Sequence, residues 1–224
     1  MNVNADFSQR VMVHSDAMEW QASPMVGVHR RMLDRIGDEV ARATTVVRYA
    51  PGSHFSPHTH TGGEEFVVLE GVFQDEHGDF PAGSYVRNPP TSRHTPGSQD
   101  GCVILVKLWQ FDLADRTQVR TDTNPLAWVA EPNRPGVSVQ HLFQDGRETV
   151  QMERWDPGTA VSLDLPDGAE FFVLDGSAQA DGEALRAQTW LRIPRGGRLS
   201  ATAGPDGTRL WSKTGHLAHI HVLE

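Results

Sequence analysis

The sequence predicts an all-β protein that contains two copies of one fold. Short stretches rich in Val, Ile, Thr and aromatic residues recur at intervals of about ten residues, for example at 44–49, 66–69 and 102–109. They show no sustained helical periodicity, and the 21 glycines and 14 prolines are spread over the whole chain. This pattern is typical of a β-sandwich or a β-barrel, so we expect little helix.

An internal repeat is the main sign of two copies. The segment GlyGlyGluGluPheValValLeuGluGly at 62–71 recurs as AspGlyAlaGluPhePheValLeuAspGly at 167–176, an offset of about 105 residues. SerTyrValArgAsnPro at 84–89 recurs at the same offset as ThrTrpLeuArgIlePro at 189–194. Collinear matches at a constant offset indicate a duplicated fold.

The end of the first copy and the start of the second can also be placed. We pair LeuTrpGln at 108–110 with LeuTrpSer at 210–212, and the polar stretch that follows the first of these has no apolar alternation. The sequence therefore predicts two domains, at residues 1–114 and 115–224.

The composition of the chain excludes several classes of protein. The net charge is -9 and no Lys/Arg cluster occurs, so we expect no nucleic-acid or membrane partner. The N-terminus is polar and no run of about eighteen apolar residues is present, so we expect a cytoplasmic protein. The single cysteine, Cys102, excludes a disulfide framework, and any metal ion must use His and carboxylate ligands.

The sequence around residues 52–71 has the spacing of a metal site. His58 and His60 are two residues apart, so on a strand both side chains point to one side of the sheet and can chelate one ion. Glu64 follows with the same parity, although the two glycines before it permit a turn. A Gly/Pro-rich hairpin then leads to His94, which would complete a set of four ligands.

The chemistry of this set limits the metal without selecting it. Three imidazoles and one carboxylate suit one Zn, Fe(II), Ni, Cu or Mn ion. The alternative is a surface turn in which His58 and His60 bind no metal. The wider sequence context favours the metal site, and we expect one divalent ion per chain.

These residues resemble a known signature. Residues 52–71 read Gly, five residues, His, one residue, His, three residues, Glu, six residues, Gly, as in the first cupin signature. ProAlaGlySer at 81–84, with the later AsnProPro and His94, is similar to the second signature. Residues 20–112 are similar to the cupin domain of the ChrR anti-sigma factors. This resemblance implies two tandem cupin barrels of the double-stranded β-helix (jelly-roll) type.

The resemblance also implies which residues bind the metal. In the ChrR family the barrel binds zinc through two His, one Glu and a later His, which correspond here to His58, His60, Glu64 and His94. Zinc is therefore the favoured ion, with Fe(II), Ni or Mn as alternatives.

The repeat distinguishes Glu64 from the adjacent Glu65. Glu65 corresponds to Glu170 and is kept in the second copy, so we assign it to the scaffold and assign Glu64 as the ligand. The four ligand positions hold other residues in the second copy, which we expect to be metal-free: Asp164, Pro166, Ala169 and Leu199.

Several other residues are expected to be structural. We expect His54 and His77 to lie outside the site and Cys102 to be a small buried hydrophobe. His219 and His221 have strand-like spacing, but surface histidines are the favoured interpretation. We also expect a packing role for Tyr85, Arg87, Lys107 and Trp109. Their equivalents in the second copy are Trp190, Arg192 and Trp211.

Two functions are compatible with such a site. The resemblance implies a regulatory or sensory protein, with a small-molecule ligand in the first barrel or a protein partner such as a sigma factor; a homodimer is also compatible. In that family a separate N-terminal helical domain with a His/Cys zinc motif binds the sigma factor, and no cysteine precedes Gly52 here. The alternative is a non-haem Fe(II) dioxygenase that cleaves a diketone-type molecule. We favour the regulatory function.

Overall fold

The computed structural model describes residues 1–38 and 40–220, which form two compact units. Unit 1 comprises Met1–Ala5 and Met18–Pro125, and unit 2 comprises Asp6–Ala17 and Leu126–Ile220. Strands dominate the described residues, where helix is limited to two short 3-10 helices, Ser15–Ala17 and His216–His219. The predicted all-β class is confirmed. No helix in these ranges is long and apolar enough to cross a membrane.

The strands of the described residues are numbered in chain order. The first fourteen are β1 (Asn2–Val3), β2 (Val11–His14), β3 (Gln21–Ala22), β4 (Val28–Gly37), β5 (Ala41–Tyr49), β6 (Ser53–His54), β7 (His58–Thr59), β8 (Glu64–Asp75), β9 (Gly78–Pro81), β10 (Ser84–Asn88), β11 (Arg93–His94), β12 (Gly97–Ser98), β13 (Cys102–Leu108) and β14 (Val119–Asp122). They are followed by β15 (Val129–Ala130), β16 (Val137–Gln144), β17 (Thr149–Trp155), β18 (Ala160–Leu165), β19 (Ala169–Ala180), β20 (Glu183–Arg186), β21 (Thr189–Ile193) and β22 (Gly197–Thr214).

Unit 1 is built on one antiparallel sheet and one short strand pair. The sheet runs in the order β1-β4-β5-β13-β8-β10-β14, with β3, β6, β9 and β12 attached to it, while β7 pairs with β11. Alternate residues of the long strands pack into one core, as Phe66 and Val68 of β8 do with Val106 and Ile104, their partners on β13. This core lies beside the residues of the predicted metal site.

Unit 2 repeats this arrangement. Its sheet runs in the order β15-β16-β17-β22-β19-β21-β2, with β18 attached to β22 and β20 attached to β19. Phe171 and Val173 of β19 pack in its core with Val139 and Trp155. Phe171 and Val173 occupy the positions that Phe66 and Val68 occupy in unit 1.

Two strands join a different unit from the one to which we assigned them on the basis of the repeat. Residues 115–125, which we assigned to the second domain, belong to unit 1, where β14 pairs with β10. Residues 6–17, which we assigned to the first domain, belong to unit 2, where β2 pairs with β21. The sequence of a short strand outside the repeated segments does not show which sheet the strand joins.

Strand register corrects one part of the repeat alignment. Lys107 pairs with Glu65 on β8, and Lys213 pairs with Glu170 on β19. Lys213 is therefore the counterpart of Lys107, and the pairing of 108–110 with 210–212 was wrong. The same register supports the other matches, of Tyr85 with Trp190 and of Arg87 with Arg192.

Candidate metal centre

His94 reaches the first two histidines through a two-residue strand pairing. In the pairing of β7 with β11, His94 lies opposite His58, and Arg93 lies opposite Thr59. The backbone of His60 continues this contact, since its N–H donates to the Ser92 carbonyl at 2.9 Å. The Gly/Pro-rich hairpin thus returns the chain beside β7, as its composition indicated.

The four predicted ligand side chains lie together. One donor atom of each of His58, His60, Glu64 and His94 lies within 4.8 Å of the other three. Glu64 Oε2 is 3.3 Å from His60 Nε2 and 3.5 Å from His94 Nε2. His60, Glu64 and His94 are buried, whereas His58 is exposed. The cluster is therefore open to solvent on the side of His58.

Two glycines bring Glu64 into this cluster. Gly63 has a φ of +79°, which a residue with a Cβ rarely adopts, and a Cβ there would clash with the ring of Phe111. A Cβ on Gly62 would clash with Trp109. The GlyGly turn thus packs under two aromatic rings and sets the direction in which β8 begins with Glu64.

Glu65 points to the other face of β8. It is buried and accepts a hydrogen bond of 2.5 Å from the Tyr85 hydroxyl. Its counterpart Glu170 accepts a hydrogen bond of 3.0 Å from Trp190 Nε1. The structure therefore brings Glu64, and not Glu65, to the three imidazoles.

Three residues that sequence reasoning missed hold the ligand side chains in place. Asp75 Oδ2 lies 3.2 Å from His94 Nδ1, and Ser92 Oγ lies 3.0 Å from His60 Nδ1. Asn88 Nδ2 donates to Glu64 Oε2 at 3.2 Å. Such partners fix the ring orientation of a histidine ligand and the tautomer that it adopts. No motif marks them, because each is close to its ligand only through strand pairing.

The charges of the cluster favour a deprotonated carboxylate. Burial alone would raise the pKa of Glu64, but His60, His94 and the amide of Asn88 outweigh it and bring the pKa to about 2. Burial alone would lower the pKa of His94, but the hydrogen bond to Asp75 and the charge of Glu64 outweigh it and raise that pKa. His94 therefore holds a proton more firmly than an isolated imidazole.

A divalent cation fits these residues. His60 Nε2 is buried and makes no hydrogen bond, although Glu64 Oε2 lies 3.3 Å from it and its other ring nitrogen is bound by Ser92. A buried nitrogen without a hydrogen bond costs free energy, and a metal ion between His60 and Glu64 would satisfy it. Three imidazole nitrogens and one carboxylate oxygen suit the borderline ions from Mn to Zn. An ion held there would supply Lewis acidity and an exchangeable position on the open side.

The other sequence candidates lie outside the cluster. His54 pairs with Gly97 on β12 and is exposed, and His77 is exposed in the turn after β8. Cys102 is buried, which raises the pKa of its thiol to about 11 and keeps it protonated at neutral pH. His219 belongs to a short 3-10 helix, and His221 lies outside the described residues.

Unit 2 has two opposed leucines where unit 1 has two opposed histidines. At the constant offset of 105 residues, His58 and His94 correspond to Leu163 and Leu199, which lie opposite each other on β18 and β22. Both leucines pack in the core of unit 2. Strand register therefore supports the match of His94 with Leu199, whereas Asp164, which we aligned with His58, is one residue away and lies opposite Arg198.

The fold and the site together resemble those of one class of protein. An all-β fold that gathers three imidazoles and a carboxylate has the signature residues of a cupin at the positions where the signature requires them. Residues 8–112 match the family model of the ChrR cupin-like domain. The match covers 105 of the 224 residues, and with the structural similarities below it supports a likeness to the cupin superfamily. No curated protein matches the chain significantly.

Solved structures share the fold over nearly the whole chain. A candidate dioxygenase from Nostoc punctiforme PCC 73102 has a TM-score of 0.77 at 15% identity, covering 96% of this chain and 86% of that one. A cupin 2 conserved barrel domain protein from Leptotrichia buccalis has a TM-score of 0.61 at 9% identity, covering 92% and 96%. The bacterial pirin YhhW from Escherichia coli, in complex with nickel(II), has a TM-score of 0.64 at 14% identity, covering 92% and 99%.

Proposed function

We propose that this chain is a tandem cupin of the ChrR type that binds one divalent metal ion in unit 1 and acts as a regulatory or sensory protein. The ion is held by His58, His60, Glu64 and His94. Unit 2 binds no metal and serves as a second, structural copy of the fold. The ChrR resemblance makes zinc the favoured ion.

The observation that carries this proposal is the gathering of four donors with their supporting partners. The polar side chains that we identify around the cluster, Asp75, Asn88 and Ser92, each hold a ligand in place. None of these three is free to exchange a proton with a bound molecule without releasing its ligand. A site built in this way favours stable metal binding over proton transfer.

The signal to be sensed would reach the ion from the exposed side of the cluster, at His58. We propose a small molecule that occupies the open position, or a protein partner that covers it. A sigma factor is the protein partner that the family resemblance suggests.

Metal analysis and a binding assay test this function together. The protein is purified anaerobically, its metal content is measured, and a tagged form is mixed with a sigma factor of the extracytoplasmic-function group. Zinc at one equivalent with no oxygen uptake is the expected result. Absence of bound metal would remove the proposal, and repeated failure to capture the sigma factor under reducing conditions would remove that partner.

A second candidate function follows from one specific similarity. The structure named as a candidate dioxygenase covers 96% of this chain. A ferrous ion on the same residues would leave positions for a diketone-type substrate and oxygen. Oxygen uptake by the Fe(II)-loaded protein with a diketone would support this function, and zinc as the bound metal without uptake would exclude it.

A further inference from the structure

Arg30 places a positive charge toward the interior of unit 1. On β4, Arg30 pairs with Val47, and Val28, two residues earlier, pairs with Tyr49. Val28 and Val47 belong to the core cluster of the unit. Because residues two apart on a strand face the same side, Arg30 faces this core as well.

Unit 2 shows how the same fold compensates an interior charge at the equivalent pair. There Val139 takes the place of Arg30 and pairs with Glu153, which takes the place of Val47. Glu153 is 1% exposed. Its carboxylate accepts hydrogen bonds from four side chains of the same unit, Arg134, Gln151, Trp155 and Ser212. The negative charge of Glu153 is thus compensated by side chains of unit 2 itself.

Arg30 has no comparable arrangement in the described part of the chain. Its Nε is buried without a hydrogen-bond partner, and the side chain as a whole is only partly exposed. A guanidinium held in this way is stabilised by an anion that supplies the missing hydrogen-bond acceptors. The charge and the free donor therefore point to a ligand from outside the chain.

The interior that Arg30 faces is the one that borders the metal centre. Phe73 belongs to the same core cluster as Val28 and Val47, and its ring lies 5.7 Å from the ring of His94. The carboxylates of Glu64 and Asp75 together balance the two charges of a divalent ion, so the uncompensated positive charge is that of Arg30. An anionic ligand is favoured by this charge.

We infer that Arg30 recognises a carboxylate on the small molecule that binds beside the metal ion of unit 1. The inference rests on the proposed metal site and adds the chemical class of its ligand. A guanidinium binds a carboxylate through two parallel hydrogen bonds, so Arg30 would set the orientation of the molecule as well as its charge.

The test measures binding of anionic and neutral probes to Co(II)-loaded protein. Acetate, pyruvate and benzoate are the carboxylate probes and imidazole is the neutral one, each followed by the visible absorption of Co(II). Arg30→Gln is expected to weaken carboxylate binding by about tenfold or more, because a charge-assisted hydrogen bond is lost. Its affinity for imidazole and its Co(II) content are expected to be unchanged. Arg30→Lys keeps the positive charge but cannot form two parallel hydrogen bonds to a carboxylate. We expect it to lose less carboxylate affinity than Arg30→Gln.

Arg31→Gln is the matched control. Arg31 is adjacent on β4 but stacks over the ring of Trp20 at 4.0 Å, on the other face of the strand. Equal carboxylate binding by wild type and Arg30→Gln, an equal loss in Arg31→Gln, or no carboxylate binding by wild type would each overturn the inference. Failure of the wild type to bind Co(II) would instead remove the metal site itself, and with it the inference.

Discussion

Asp75 supports His94 from behind the metal centre. Its Oδ2 lies 3.2 Å from His94 Nδ1, while His94 Nε2 faces Glu64 Oε2 at 3.5 Å. The carboxylate thus fixes the tautomer that leaves Nε2 free to bind a cation.

Asp75→Asn is therefore expected to weaken metal binding by about 10- to 100-fold without unfolding the protein. Competition with a chromophoric chelator measures the affinity. The control is Asp79→Asn, in the same hairpin, whose carboxylate is exposed and bonded to Gln74. An unchanged affinity in Asp75→Asn would mean that Asp75 does not orient His94.

Glu64→Gln and Glu65→Gln are expected to have opposite effects. Glu64→Gln removes the charge that faces the three imidazoles, so bound metal should be lost. Glu65→Gln still accepts the hydrogen bond from Tyr85 but loses the buried negative charge that lies opposite Lys107 in the strand register. It should lower the thermal midpoint and keep the metal. Metal analysis and thermal unfolding of both variants check this, and the reverse pattern would show that the ligand was misassigned.

Gly63→Ala is expected to damage the centre through the backbone. A Cβ at this position has both an unfavourable φ and a clash with Phe111, so we expect a loss of more than about 1 kcal/mol in the free energy of unfolding. Gly52→Ala separates the two effects, because Gly52 has a similar φ of +74° and no atom near the added Cβ. Urea unfolding of the two variants gives the difference. Equal losses would show that packing against Phe111 does not matter.

Asp115 is expected to make the stability of unit 1 depend on pH. Its carboxylate lies 2.6 Å from the buried guanidinium of Arg87, and although burial raises its pKa, the Thr117 amide and Arg87 outweigh this and lower the pKa below its usual value. A folded pKa below the unfolded value means that the stabilisation is present above about pH 4 and is lost as pH falls through the folded pKa.

Asp115→Asn should accordingly cost about 1–3 kcal/mol at pH 7 and progressively less in acid. The measurement is the free energy of unfolding of both proteins from pH 7 to pH 3. A difference that stays constant over this range would show that the Asp115 charge is not the cause.

Much of this structure follows from local patterns in the sequence. The alternation of His58 and His60 predicted two side chains on one face, and the repeat predicted the duplicated fold. Both signals depend only on residues that are neighbours along a strand or on a constant offset.

Other features depend on which strands pair, and no local pattern contains that information. Asp75 supports His94 only because β12, which follows His94, pairs with β8 next to Asp75, and Lys107 matches Lys213 only when register replaces a constant offset. The strands β2 and β14 are short and polar at their ends, so their sequences did not show which sheet each would join. Arg30 is similar, because its interior direction is visible only against Val47 on the next strand.

The proposed function depends on one ion held by these four side chains. The decisive experiment measures the metal content of anaerobically purified wild type and of the His58→Ala/His60→Ala double variant. We expect about one equivalent of a divalent metal in the wild type and almost none in a folded double variant. Metal retained by the double variant at the wild-type level would contradict this expectation and place the ion elsewhere in the chain.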